Sequence, residues 1–349
     1  MNAMERIGRA ARGEPTDRIP VFCDLLDQGA AAVGLSSLKE YYSRGEYVAE
    51  GQLRMREKYG YDNLWSLFYV GREAELFGCR KMIYAPDGPP NVGEMVIRAD
   101  DDIHKLEIPR DVTAHPSFQE VLKCVRILAR EAGGKYPVIA YVTAAMTLPV
   151  LLMGMEKWMD LLLRGSPELR DELLEKCSDV FRQQIAAYRE AGANVLVYSN
   201  PFGSTDFLPL KLIRTVSLPW MERDLEPGGV DGVVYYGGGA CLEGVLELIL
   251  DRLHIGSYCL SALDDIGRCK AITGNRAMIG GILNNIRAED WTCREIREEV
   301  KKVVEAGKDG GRFYFGTLAL PYHTPEANIR EIVAAAMEYG TFDGGRNHE

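Results

Sequence analysis

The chain has 349 residues of ordinary globular composition, 46% hydrophobic and 26% charged, with a formal net charge of −10. An acidic chain without a run of Lys or Arg excludes nucleic acid and anionic membrane surfaces as favoured partners. A chain of this length forms either two ordinary domains or one large α/β barrel.

The first hundred residues contain two predicted strands and one irregular region. The short apolar run 18–24 carries a Pro at its edge and predicts the first strand. A helical pattern follows over 38–59 and ends at Gly60, and 62–69 predicts the second strand. Between 71 and 106 the sequence is rich in Gly and Pro, which predicts an inserted hairpin or lid.

From residue 117 onward, helical and β-type patterns alternate regularly. The clearest helix begins after Ser166, has Pro167 in its first turn and ends at Gly192. The run 232–241 predicts a strand, a glycine turn and then a helix from Leu242, whose first N–H groups would be free to bind a polar ligand. The other predicted strands are 137–142, 193–199, 257–261, 277–282 and 312–316, and the other predicted helices are 117–132, 209–224, 294–306 and the helix from a Thr324 cap to Gly340.

These patterns give eight β-type runs, each followed by a helical pattern. Near-continuous apolar strands indicate burial on both faces of the sheet. Eight βα units predict a (β/α)8 TIM barrel, formed as a single domain over 1–349 with 71–106 inserted, and the alternative is a doubly wound open sheet. In a barrel all the strand ends converge on one mouth, where the active site is expected.

Three residues near those strand ends are candidates for catalysis. Tyr236 offers a hydroxyl at the glycine turn, unless it packs with that hydroxyl on a backbone carbonyl. Asn200, with Asp206 behind it, either orients a substrate or belongs to a capping loop. Asp24 is either a base or hydrogen-bond acceptor, or a solvated loop acid.

Other strand-end residues are candidates for substrate contacts. Thr143, Cys259 and Asn284 follow or end predicted strands, although paired asparagines also form turns. His323 precedes the last helix, where a histidine titrates, binds metal, caps or packs.

The cysteines predict a reduced, cytoplasmic protein. There are eight, spread along the chain without a CxxC pair. The N-terminus lacks the apolar run of a signal peptide, and the longest apolar stretch, 138–155, contains Pro149, which favours a strand and a helix over a membrane span. Cys241, His254 and Cys259 lack the spacing of a zinc site, so we expect buried structural cysteines and no metal.

Several short motifs occur in a fixed order along almost the whole chain. They are Asp17-Arg-Ile-Pro-Val21, Tyr59-Gly-Tyr-Asp62, Ser166-Pro-Glu-Leu169, Glu190-Ala-Gly-Ala193, Asn200-Pro-Phe202 and Thr324-Pro-Glu-Ala-Asn328. In this order they resemble the uroporphyrinogen decarboxylase superfamily, more closely its cobalamin-dependent methyltransferase branch. That branch includes the methylcobamide:coenzyme M enzymes and the first methyltransferases of O-demethylase systems. The resemblance implies a (β/α)8 barrel that moves a methyl group to or from a corrinoid carried by a separate corrinoid-binding protein.

The resemblance also implies a zinc site, which this sequence does not retain. Thiol-activating members carry a His-x-Cys pair and a later Cys. Tyr236 stands at the histidine position, Gly238 at the first cysteine, and Thr317 or Leu318 at the second. Without that Lewis acid, a thiol acceptor such as coenzyme M is not activated in the usual way.

The expected activity is therefore methyl transfer from a small methylated donor, an aryl methyl ether above all, to the cob(I)alamin of the partner. Tyr236 matches a phenolate leaving group, since an unperturbed tyrosine has a pKa of about 10. The N–H groups of Gly237 and Gly238 would add oxyanion stabilisation. The expected aromatic wall of the pocket consists of Trp65, Phe68, Tyr69 and Phe202.

Two alternatives remain open. A uroporphyrinogen decarboxylase-like enzyme would need arginines near the first strand to bind a polycarboxylate, but no Lys or Arg occurs between Arg18 and Lys39. A barrel without its metal site could instead be a catalytically silent binding scaffold.

Overall fold

The structure is a computed structural model that describes residues 1–226 and 229–342. Seven strands form one parallel sheet in the order β1-β4-β5-β6-β7-β8-β9, and β2 pairs with β3 in a separate antiparallel ribbon. The strands are β1 (Leu64–Trp65), β2 (Met82–Ile83), β3 (Asn91–Val92), β4 (Val138–Thr143), β5 (Val195–Ser199), β6 (Val233–Tyr236), β7 (Ser257–Cys259), β8 (Met278–Leu283) and β9 (Phe313–Thr317).

Helices surround this sheet and connect its strands. They are α1 (Ala3–Arg12), α2 (Gln28–Ala32), α3 (Leu38–Tyr41), α4 (Gly45–Tyr59), α5 (Asp101–Lys105), α6 (Pro116–Ala132), α7 (Leu148–Met153), α8 (Met155–Arg164), α9 (Pro167–Ala191), α10 (Leu210–Leu212), α11 (Leu218–Leu225), α12 (Leu246–Leu253), α13 (Ile266–Thr273), α14 (Cys293–Gly307) and α15 (Glu326–Gly340). The remaining helical segments of the described residues are three 3-10 turns (Val70–Phe77, Val112–Ala114 and Pro201–Gly203) and a π-helical turn (Ile213–Ser217). Within its described residues, no helix combines the length and the apolar character needed to cross a bilayer.

The extended segment 18–24 closes the barrel between β9 and β1. On one side the Phe22 N–H donates to the Phe315 carbonyl at 2.8 Å. On the other side the Cys23 N–H donates to Asn63 Oδ1 at 2.9 Å, and Asn63 Nδ2 donates to the Cys23 carbonyl at 3.2 Å. A side-chain amide thus replaces part of a backbone ladder. The predicted first strand has the right place, but it is an irregular extended segment with isolated bridges.

Helix α1, which the sequence patterns did not predict, closes the lower end of the barrel. Its residues Ile7 and Ala10 pack with Met278 and Tyr314 at the barrel strands, together with Phe22 of the closing segment. Helix α1 therefore covers the end of the barrel opposite the carboxyl ends of the strands, where barrel enzymes place their active sites. The prediction of a (β/α)8 barrel is confirmed.

Other predicted boundaries need correction. The helix predicted over 38–59 is interrupted at residues 42–44, and the second strand is only two residues long. Thr324 does not cap the last helix; its hydroxyl donates instead to the Pro321 carbonyl at 2.8 Å, and the helix begins at Glu326 without a side-chain cap.

Candidate active site at the carboxyl ends of the strands

A cavity of about 270 Å³ occupies the barrel interior and extends to the carboxyl ends of the strands. Alternate strand residues build its wall, among them Tyr141 of β4 and Val234 and Tyr236 of β6. Because successive side chains of a strand point to opposite faces, Tyr235 points outward into the core between sheet and helices, where it is 0% exposed. The cavity is predominantly apolar, which suits an uncharged organic ligand.

Asp24 lies in this cavity wall at the end of the closing segment. Trp65 Nε1 donates to its Oδ1 at 2.6 Å. Its backbone is also held, since the Asp24 N–H donates to Thr317 Oγ1 at 2.9 Å. Burial raises the pKa of Asp24 to about 7, and the Trp65 hydrogen bond opposes that rise only in part. Asp24 is therefore not a solvated loop acid, and near neutral pH it can hold or release a proton.

Tyr236 faces the same cavity from the end of β6. Its hydroxyl makes no hydrogen bond to any residue within 1–226 or 229–342, so it is available to a ligand. Burial, with smaller contributions from Cys259, Tyr141 and Asp24, raises the pKa of Tyr236 above its usual value, which keeps the hydroxyl protonated. A tyrosine hydroxyl that binds a backbone carbonyl was the alternative for Tyr236. Its neighbour Tyr235 makes this contact instead, since its hydroxyl donates to the Asn200 carbonyl at 3.1 Å.

Four further predicted residues lie in the cavity wall: Trp65, Phe68, Tyr69 and Cys259. Burial raises the pKa of the Cys259 thiol to about 12, so it is a neutral wall residue. Two wall tyrosines, Tyr141 and Tyr314, were not predicted. Each lies two residues along its strand from another wall residue, Tyr141 from Ile139 and Tyr314 from Gly316, as the alternation of side chains along a strand requires.

Asn200 and Phe202 do not line the cavity. Asn200 is 0% exposed, and its Oδ1 accepts a hydrogen bond from Thr147 Oγ1 at 3.2 Å. Its Nδ2 has no hydrogen-bond partner in the part of the chain that the structure describes. Phe202 packs against Trp158 and Phe207, with ring centroids 6.2 and 5.4 Å away. Both residues turn away from the barrel interior, because the chain bends into a 3-10 turn directly after β5.

Thr143 is also outside the cavity. It is 0% exposed, and its hydroxyl and N–H both donate to the carboxyl group of Glu73. Gln184 Nε2 donates to the same carboxyl at 3.4 Å. Burial raises the pKa of Glu73 to about 7. These contacts fasten the 3-10 turn Val70–Phe77 to β4 and α9, so Thr143 stabilises the fold at a place where a substrate contact was expected.

The glycine turn is not the start of a helix, which corrects the expected role of Gly237 and Gly238. Neither residue lines the cavity. Helix α12 begins only at Leu246. The N–H groups that follow the turn are already bound by carboxylates: the Cys241 N–H donates to Asp206 Oδ2 at 2.8 Å, and the Leu242 N–H donates to Asp264 at 2.9 Å. Asp206 therefore satisfies a backbone N–H of the loop that follows the glycine turn.

Asn284 and His323 lie on the surface, outside the cavity. Asn284 is exposed, whereas its neighbour Asn285 binds the loop after β9 by accepting from the Leu318 N–H at 2.7 Å. His323 has a 65% exposed side chain, and its Nε2 lies 3.7 Å from Asp87 Oδ2 in the ribbon region.

The residues at this mouth do not fit a zinc ion. Of the positions where family resemblance places zinc ligands, Tyr236, Thr317 and Leu318 line the cavity, while Gly238 has no side chain. Zinc sites in proteins use Cys, His, Asp and Glu. Within residues 1–226 and 229–342, no three such side chains come together in a way that could hold a metal.

Comparisons with known proteins agree with this architecture. Residues 2–339 match the sequence model of the family described as uroporphyrinogen decarboxylase (URO-D). A methylcobamide:CoM methyltransferase of Methanosarcina acetivorans is 24% identical over 96% of this chain and 97% of its own length. A uroporphyrinogen decarboxylase of Thermus thermophilus is 28% identical over 95% of this chain and 96% of its own length. The solved structure of a methyltransferase from Methanosarcina mazei superposes with a TM-score of 0.83 at 19% identity, covering 97% of this chain and 99% of that one.

Proposed function

The chain belongs to the uroporphyrinogen decarboxylase family, and we propose that within it the protein is a corrinoid-dependent methyltransferase whose donor is an aryl methyl ether. The observation that carries this proposal is the cavity, in which an apolar interior meets a carboxyl group of near-neutral pKa and an unengaged tyrosine hydroxyl. Similarity to methylcobamide:CoM methyltransferases over nearly the whole chain supports the methyl-transfer reaction.

The size of the cavity supports a division of labour between two proteins. A space of about 270 Å³ takes one aromatic ring with its substituents, but not a tetrapyrrole-sized macrocycle. The corrinoid therefore stays on its own carrier protein at the mouth of the barrel. It supplies a reduced cobalt nucleophile for the methyl carbon, while this chain holds the donor.

Asp24 and Tyr236 are the residues that would assist the departure of the leaving oxygen. When the bond from methyl carbon to oxygen breaks, the oxygen keeps the electron pair and takes a proton from Asp24. The resulting carboxylate remains stabilised by the Trp65 Nε1–H bond to Oδ1. Tyr236 donates a hydrogen bond to the same oxygen, because its raised pKa keeps its own proton in place.

The ribbon region 71–106 is the proposed lid. Pro89, in the loop between β2 and β3, reaches the cavity wall. Tyr84, the first residue of this loop, packs edge-on against Tyr69 with ring centroids 6.3 Å apart. These two contacts support a lid that would exclude water during the reaction.

Uroporphyrinogen decarboxylase activity is the second candidate, because relatives with that name are as similar in sequence. The cavity argues against it. It lacks the volume for four pyrrole rings, and no Lys or Arg is found among the described residues that line it. A substrate with many carboxylates requires such cations.

Spectroscopy tests the proposal directly. The protein is mixed with a corrinoid protein reduced to the cob(I)alamin state and with a panel of methoxylated aromatics and methylamines, and the conversion to methylcobalamin is followed in the visible spectrum. We expect conversion that depends on both the protein and a methoxylated aromatic. The absence of conversion with every donor would contradict the proposal and favour a binding scaffold.

A further inference from the structure

The charges around the cavity restrict the donor more narrowly than its shape does. Among the described residues of its wall, Asp24 is the one carboxyl group, and there is no Lys, Arg or His. Cys259 and the wall tyrosines are neutral, because burial raises their pKa values. The wall therefore carries either no charge or a single negative charge.

Two cations lie close to aromatic rings of the cavity wall or of the proposed lid, and both are outside the cavity. The guanidinium of Arg72 lies over the Phe68 ring, 4.6 Å from its centroid, and donates to the Tyr42 and Ser117 carbonyls. Lys39 Nζ lies 5.8 Å from the centroid of Tyr84, on the proposed lid. Neither residue lines the cavity, so neither can pair with an anion inside it.

An anionic donor would consequently lose its hydration without gaining an opposite charge. A buried carboxylate without a partner is strongly disfavoured in an apolar site. Ionised Asp24 would add repulsion between like charges. An uncharged ring pays neither cost, and it contacts Trp65, Phe68 and Tyr69 through its apolar faces.

We propose that the cavity selects uncharged one-ring methyl ethers and rejects ring carboxylates, and that Asp24 contributes to this selection by its charge. This inference rests on the proposed methyltransferase function for the identity of the ligand. The unengaged hydroxyl of Tyr236 gives such a ring its polar contact, and a phenolic hydroxyl beside the methoxy group is compatible with that contact.

Equilibrium dialysis of the full-length protein tests the selection without any corrinoid. The probes are 2-methoxyphenol, 3-methoxybenzoate and tetramethylammonium at pH 8, where Asp24 is mostly ionised. We expect 2-methoxyphenol to bind at least about tenfold more tightly than 3-methoxybenzoate. Equal or tighter binding of 3-methoxybenzoate would overturn the proposal, as would tighter binding of tetramethylammonium, which would instead indicate a site for methylated cations.

Two variants separate charge from shape. Asp24→Asn removes the negative charge with little change in size. We expect this variant to reduce the difference in binding affinity between 2-methoxyphenol and 3-methoxybenzoate. Leu318→Arg places a cation at a partly exposed position of the cavity wall, and we expect it to strengthen binding of 3-methoxybenzoate specifically. If both variants keep the parent's preference, charge does not set the selection.

The outcome is distinguishable from that of the methyl-transfer assay. Selective binding of 2-methoxyphenol without any formation of methylcobalamin would contradict the proposed function but support the proposed selection of uncharged ligands. Methyl transfer from 3-methoxybenzoate in preference to 2-methoxyphenol would contradict the proposed selection of uncharged ligands but support the proposed function.

Discussion

Asp24 and Glu73 are two carboxyl groups of one barrel whose pKa values burial raises to the same value, about 7. Their surroundings differ. Glu73 accepts three hydrogen bonds, from the hydroxyl and N–H of Thr143 and from Gln184. Asp24 accepts one, from Trp65, and faces the cavity.

This difference teaches that a perturbed pKa does not locate an active site by itself. Glu73 belongs to the 3-10 turn Val70–Phe77 and is buried between this turn, β4 and α9. Its carboxyl group accepts all of its hydrogen bonds from the protein. Asp24 keeps an oxygen for a ligand and has space in front of it. Unfilled hydrogen-bonding capacity beside a cavity distinguishes the functional carboxyl from the structural one.

Methyl transfer by Asp24→Asn and Glu73→Gln is the strongest test of this comparison. Asp24→Asn removes the proton donor, and we expect the rate to fall about 100- to 10,000-fold. Glu73→Gln, its matched control, should leave the rate per folded molecule unchanged. Equal losses of rate in both variants would contradict the assignment of Asp24 as the functional carboxyl and Glu73 as the structural one.

The pH profile of the parent protein sharpens the same test. Because the donor is the protonated form of Asp24, the rate should decline as pH rises through about 7 and stay high below it. In Asp24→Asn that inflection should vanish from the residual rate. An inflection retained in the variant would assign the titration to another group.

Unfolding by urea at several pH values tests the structural role of Glu73. Between about pH 4.5 and pH 7 folded Glu73 keeps a proton that the unfolded chain has lost, so stability falls as pH rises through this window. The rise of the pKa from 4.5 to about 7 corresponds to roughly 3 kcal/mol. In Glu73→Gln that part of the slope should disappear, whereas an unchanged slope relative to the parent would contradict the assignment.

The adjacent tyrosines of β6 provide a smaller test of the inward and outward faces. In Tyr236→Phe the leaving oxygen loses one hydrogen bond, and we expect the rate to fall about tenfold to a hundredfold. In Tyr235→Phe the buried bond to the Asn200 carbonyl is lost, which should lower stability by about 1 kcal/mol and leave the rate unchanged. The reverse pattern would mean that the assigned faces of β6 are wrong.

The sequence predicted the barrel because its strands are near-continuous apolar runs and its helices carry clear end signals, such as Ser166 and Gly192. The predictions of strands and of helix ends both rest on residues that are close together in sequence. The prediction placed Asp24 and Tyr236 near strand ends, and the structure brings both to the cavity. The directions of side chains beyond a strand's last residue depend on the following turn, which explains why Phe202 was misplaced.

Glu73 could not be identified from local patterns. Its partners Thr143 and Gln184 lie 70 and 111 residues away, and its own segment was interpreted as an irregular insertion. The predicted role of the glycine turn was wrong for a related reason. Asp206 and Asp264, on other loops, occupy the N–H groups that were expected to be free. Long-range hydrogen bonds decide which polar groups remain available at this site.

His323→Ala, with Asn284→Ala as a matched variant, should have the smallest effect of those considered. His323 is exposed and meets Asp87 only across 3.7 Å, and exposed ion pairs contribute little because water screens them. We therefore expect rate and urea midpoint in both variants to match the parent, with any change in rate within about twofold. A tenfold loss of rate in His323→Ala alone would show that the contact between His323 and the ribbon region takes part in catalysis. The active site would then extend from the Asp24 side of the barrel to the proposed lid.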